Sequence, residues 1–107
     1  MKEHIDALWV EAQREVSIES LARDSGLTRA ELIALVELGA LTPIDPDAQE
    51  LLFTGRCVMG LRTAGRLRRA FDLEPDALAL TLSLVERIRE LQEELRRLRV
   101  ALPRRTS

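Results

Sequence analysis

Apolar residues recur along most of this chain every three or four positions, the spacing of helices with one buried face. Ile18, Leu21 and Ala22 share a face of a first short helix, and Leu32, Leu35 and Val36 mark the inner face of a second. Val58, Leu61, Ala64, Leu67 and Phe71 line a third over Arg56 to Phe71, with Arg62, Arg66 and Arg69 on its opposite side. Gly60 and Gly65 weaken that helix, since each costs roughly 1 kcal/mol against alanine in a helix interior. From Pro75 there is no further glycine or proline until Pro103. A continuous helix over 75–101 would be about 40 Å long. Its first half, with Leu78, Leu80, Leu82, Leu84 and Val85, is apolar on more than one side and should pack on the body of the protein. Its second half narrows to one stripe, Leu84, Ile88, Leu91, Leu95, Leu98 and Leu102, whose alternating spacing of four and three is a heptad seam. The chain divides into a compact unit over 1–72 and a long helix with a short basic tail over 73–107.

The polar punctuation sets the boundaries. Ser17 can cap the first helix, with Ser20 as a second candidate. Gly26 closes that helix, and Thr28 with Glu31 three residues on makes a capping box for the next. Gly39 stops the second helix and Pro43 ends the unit, so 17–43 has the shape of a helix-turn-helix. Two prolines and two aspartates within 43–47 specify a turn, after which Leu51, Leu52 and Phe53 can form a short returning strand. If Leu52 faces the core, alternation leaves Leu51 exposed. Asp6 to Val10 reads as a short strand or a helix start, with Trp9 docked on the core. His4 reads as an ordinary surface residue, and Cys57 and Met59 as packing residues.

Gly26, Leu27, Thr28, Gly39, Leu41 and Pro43 resemble the helix-turn-helix of MerR-type proteins. DNA-binding members carry a Thr-hydrophobic-Arg-Tyr-Tyr-Glu run on the second helix. Here Glu31, Leu32, Ile33, Ala34, Leu35 and Val36 stand in its place, without the arginine and the tyrosines. The chain is more similar to the chaperone-modulator (CbpM-type) branch, over roughly 16–102. That resemblance implies a mainly α fold, a MerR-like winged helix-turn-helix with a short β-hairpin wing and a long C-terminal helix. It also implies an extended segment over 14–18 ahead of the first helix. As function it implies binding to the J-domain of a DnaJ-like co-chaperone, whose Hsp70-facing surface is a basic helix.

Charge sharpens this. The net charge of −2 hides an asymmetry: Met1 to Gly55 holds four basic and eleven acidic residues, Arg56 to Ser107 twelve basic and seven acidic. The acidic half contains the helix-turn-helix, and its loop (Asp45, Asp47, Glu50) has no Lys or Arg. A DNA-reading surface gains affinity by neutralising phosphates with cations, whereas an acidic one suits a basic protein partner. The arginine stripe of the third helix is the strongest nucleic-acid signal, and otherwise a solvated face paired with the acidic half.

One cysteine and one histidine cannot build a metal site, and no phosphate loop or nucleophile–base motif is present. With no tyrosine, general acid–base chemistry has few candidates. The expectation is a binding protein, not an enzyme, without cofactor or metal. No basic-then-apolar leader is visible at Met1 to Asp6, no apolar stretch reaches membrane-spanning length, and a lone cysteine fits a reducing cytoplasm. The expected partner surface is Glu31, Ala34, Leu35, Glu37 and Leu38 on the second helix with Asp45, Asp47, Glu50 and Leu51 on the loop; Leu35 is equally a core candidate. The seam residues Leu84, Ile88, Leu91, Leu95, Leu98 and Leu102 are expected to self-associate into a homodimer or else fold back on the same chain. The rival functions are a dimeric MerR-type DNA-binding transcriptional regulator and a coiled-coil adaptor.

Overall fold

The computed structural model describes residues 9–102. His4 and the tail beyond Leu102 lie outside them. A helical turn at 9–13 precedes strand β1 (Glu15–Ser17). Then follow α1 (Ile18–Ser25), α2 (Arg29–Glu37), β2 (Leu52–Thr54), a 3₁₀ turn (Gly55–Cys57), α3 (Val58–Phe71) and α4 (Pro75–Ala101). The fold is mainly helical with one small antiparallel sheet.

Local chemistry explains the short elements. The Ser20 backbone N–H donates to Ser17 Oγ at 3.1 Å, so Ser17 is the cap of α1 and Ser20 is not. Gly26 at φ 76 closes that helix in the left-handed region, where a Cβ would be strained. The capping box of α2 is complete: the Glu31 N–H donates to Thr28 Oγ1, and the Thr28 N–H donates to Glu31 Oε1. Ser25 is a buried polar residue that ties the turn together. Its hydroxyl donates to the Leu21 carbonyl at 2.7 Å and accepts the Leu27 N–H at 3.1 Å.

The two strands are not neighbours in sequence. Val16 pairs with Phe53 and Ser17 with Leu52, so the sheet closes around the whole helix-turn-helix. The loop between α2 and β2 is pinched at its base, where the Ile44 N–H donates to the Leu52 carbonyl at 2.8 Å. This pinned loop stands where the wing was expected. Inward positions of the sheet are Val16 and Phe53, both buried. Leu51 shares the parity of Phe53, so it packs on the core and is half-buried rather than exposed.

The core joins these pieces. Leu21, Leu32, Leu35, Phe53, Leu61, Leu78 and Leu82 are sealed from solvent, with α1 on α3, α3 on α4, and α2 against α1 and α4. Gly65 is what lets α1 and α3 touch: a Cβ there would run into the Ser25 carbonyl. The glycine that weakens the helix pattern is the residue on which the helix contact depends. Several apolar residues expected inside are not. Trp9 and Met59 are exposed, and Phe71, at the last turn of α3, is 70% exposed. On α4 only Leu78, Ala79 and Leu82 are buried; Leu80, at 61%, and Leu84 face solvent. The short α3 covers one side of α4 only.

Candidate partner-binding surface

An apolar and an acidic set of residues follow one another along α2 and the loop after it. On α2, Leu32 and Leu35 point into the core. At 100° per residue the opposite face consists of Ala30, Ile33, Ala34 and Glu37, of which Ile33 and Ala34 are half-buried and the others exposed. Leu38, at the C-cap, is 49% exposed. The one cation of α2, Arg29, donates to Glu19 Oε2 at 2.6 Å and is neutralised there. A helix in this position that reads DNA presents base- and phosphate-contacting side chains; this one presents alanine, isoleucine and a carboxylate.

After α2 the chain folds back, with the Ala40 and Leu41 N–H groups both donating to the Leu35 carbonyl. Pro43 is buried, and the loop then emerges with Ile44, Asp45, Asp47 and Glu50 all exposed. Asp45 shapes the turn by accepting the Asp47 N–H at 3.0 Å. Ile44, 49% exposed between two prolines, adds an apolar contact. Its Pro-Ile-Asp-Pro setting in a turn was the available signal for it, and a helical wheel centred opposite Leu32 and Leu35 would have found Ala30 and Ile33.

The structure redistributes the sequence-derived set. Glu37, Leu38, Asp45, Asp47 and Glu50 stand at the surface, and Ala34 is half-buried. Leu35 is fully buried, because it sits on the core side of α2. Leu51 is withdrawn by the strand parity. Glu31 is already engaged: besides the capping box it accepts Arg68 Nε at 2.6 Å from across α3. Burial alone would raise the Glu31 carboxyl, but the Thr28 N–H and the Arg68 guanidinium outweigh it and hold the pKa below the ordinary glutamate value. Arg68 also approaches Asp72 at 3.6 Å. Arg68, rather than the stripe Arg62, Arg66 and Arg69, therefore pairs with the acidic half. Arg62, Arg66 and Arg69 contact Met59, Thr63 and the Ser25 carbonyl, and have no carboxylate partner among the described residues.

A second charged spot lies between α3 and α4. Burial pushes the Glu86 carboxyl up, Arg89 opposes this and Glu90 adds to it. Burial, with Glu86 nearby, pushes the Cys57 thiol up to about 11. The Cys57 thiol donates to the Thr54 carbonyl at 3.2 Å, a packing role and not that of a nucleophile. Among the described residues no three His, Cys, Asp or Glu side chains are grouped to hold a metal ion, and no helix is long and apolar enough to cross a membrane.

The pattern of the MerR HTH family of regulatory proteins matches residues 16–100. Among curated relatives, a chaperone modulatory protein CbpM of Salmonella arizonae is 32% identical over 88 residues, covering 82% of this chain and 87% of its own. One from Pseudomonas putida strain W619 is 26% identical over 92 residues, covering 86% and 91%. One from Pseudomonas entomophila is 27% identical over the same length. These names describe modulators and regulators, not enzymes.

Proposed function

The chain belongs to the MerR helix-turn-helix family, in its chaperone-modulatory CbpM branch, and on that premise we propose that it binds the J-domain of a DnaJ-like co-chaperone and keeps it from engaging Hsp70. The observation that carries the reading is the surface of α2 and its loop: Glu37, Asp45, Asp47 and Glu50 are exposed, as are Leu38 and Ile44, and Arg29 is paired with Glu19. The mechanism is occlusion. The carboxylates steer the basic J-domain helix and fix its orientation, while the apolar residues supply the desolvated contacts that dominate binding energy. A protein that covers the Hsp70-facing helix needs no catalytic group. The cytoplasm, where J-domain co-chaperones meet Hsp70, is the compartment this reading requires.

The test is an NMR titration of an isotopically labelled J-domain with the full chain at moderate salt. Shifts confined to the basic helix are the expected result; no shifts at high excess would overturn the proposal. Reversing Asp45, Asp47 and Glu50 to lysine should weaken binding about tenfold or more without unfolding the protein. The arginine stripe of α3, which has no carboxylate partner among the described residues, favours DNA as the second reading. Binding to DNA would show affinity falling steeply with salt and would depend on Arg62, Arg66 and Arg69 instead of the acidic loop.

A further inference from the structure

We propose that the groove between α3 and α4, where Arg66 and Arg89 stand beside Thr63, is a docking site for a short acidic segment of a partner protein that carries one large apolar side chain. The groove shares no residue with the surface of α2 and its loop, and the proposal does not depend on the reading of that surface.

The helix α3 carries four arginines and no carboxylate. Two of the four are committed to the fold. Arg68 binds Glu31 and approaches Asp72, and Arg69 donates to the Ser25 carbonyl at 3.4 Å, over Gly26. Arg62 and Arg66 are exposed and have no carboxylate partner among the described residues. Arg66 donates to Thr63 Oγ1 at 3.3 Å, which leans its guanidinium over that hydroxyl. Thr63 lines the groove from α3, together with Val85, Ile88, Arg89 and Gln92 from α4. Arg89 is exposed and also lacks an ion-pair partner among the described residues. Folding thus brings cations from two helices to one groove. An arginine with open donors presents a planar fork that fits a carboxylate.

The carboxylates of α4 do not close the site. Glu86 is half-buried and turned toward Gly60, one turn of α3 before Thr63, where an added Cβ would meet it. Arg89 acts on Glu86 through space without bonding it, and Glu90 is held by Arg87 at 3.2 Å. Shape and lining select the occupant. The groove has a volume of about 210 Å³, below the roughly 300–1,000 Å³ of pockets that enclose a small organic ligand. It suits a single side chain of a larger partner. Val85 and Ile88 give it an aliphatic floor, Arg66 and Arg89 a cationic rim, and Thr63 and Gln92 polar atoms for a passing backbone. A leucine between carboxylates matches each part. Its side chain covers Val85 and Ile88 while the carboxylates take the two arginines. Nucleic acid matches the cations alone. Phosphates gain nothing from an aliphatic floor, and no aromatic ring lines the groove for a base to stack on.

Fluorescence anisotropy with the full chain tests this. The probe is a fluorescein-labelled synthetic peptide with one leucine flanked by glutamates. Its controls are the same peptide with serine for leucine and a thymidine oligonucleotide of equal charge. The leucine peptide should bind, and the serine peptide about tenfold more weakly or worse. Arg66→Gln and Arg89→Gln should each weaken binding of the leucine peptide about tenfold, with circular dichroism checking that both variants fold. A second measurement needs no variant. In an NMR titration of the isotopically labelled chain with the leucine peptide, the shifts should centre on Thr63, Val85 and Gln92. Shifts confined to other surfaces, or no binding at millimolar peptide, would overturn the proposal. Equal affinity for the leucine and serine peptides would overturn it too, as would an oligonucleotide that binds more tightly through the same arginines.

Discussion

The link between Glu31 and Arg68 fixes how α2 is held, and a double-mutant cycle measures it. Glu31→Gln keeps a side-chain oxygen for the Thr28 N–H, so the capping box survives and only the charge is lost. Arg68→Met keeps the packing of the arginine stem. The side chains of Glu31 and Arg68 retain only 22% and 32% of their exposure, more sheltered than the surface pairs that contribute little. Glu31→Gln strands Arg68 with only the 3.6 Å contact to Asp72, at a cost of about 1.5 kcal/mol. Arg68→Met leaves Glu31 still bonded to Thr28, at a cost of about 1 kcal/mol. The double variant should also cost about 1.5 kcal/mol, a coupling of about 1 kcal/mol. Urea unfolding followed by circular dichroism reads each corner, and thermal unfolding should place the single variants several degrees below wild type. The pH dependence has a definite sign. The folded-state pKa of Glu31 is lowered, so its contribution is fully present above the ordinary value of 4.5 and is lost as pH falls through the lower folded value. A coupling indistinguishable from zero at neutral pH would refute the account of Glu31 as an internal latch. It would return Glu31 to the candidate contact surface.

Other substitutions separate packing from propensity. Gly65→Ala gains about 1 kcal/mol of helix propensity but forces α1 from α3 at Ser25, an overpacking cost of about 1–3 kcal/mol, so its urea midpoint should fall. Gly60→Ala meets only the flexible Glu86 carboxylate and should be close to neutral; a larger loss at Gly60 than at Gly65 would contradict the packing argument. Phe53→Ala empties a fully buried site and should cost about 3–5 kcal/mol, enough to broaden or abolish the thermal transition. Glu86→Gln should stabilise the protein at neutral pH, because the raised pKa means the charged form opposes folding. That advantage shrinks as pH falls through the raised value and wild-type Glu86 takes up a proton.

What the sequence determined by itself was everything written in local chemistry. Ser17, Gly26, Thr28 with Glu31, Gly39 and Pro75 each act on the backbone within a few residues, and all of them punctuate the structure as their types require. The length of α4 followed from the absence of any breaker, and the acidic character of the loop from composition alone. Tertiary structure decided what depends on neighbours distant in sequence. Periodicity names a helix's apolar face but not how much of it another element covers. Phe71, at the end of α3, and Leu80, on the side of α4 that α3 does not cover, were therefore assigned to a core that no other element supplies to them. The strand alternation was legible but its phase was not, because Phe53 rather than Leu52 met the space behind Val16. Glu31 was read as a capping-box residue that also faced the partner, until the fold carried Arg68, 37 residues away, to within 2.6 Å of it. Gly65, a defect in one dimension, became the point where two helices touch. Which of the acidic and apolar residues remain free to meet a partner is set by such long-range competition for the same atoms, and that competition exists only once the chain is folded.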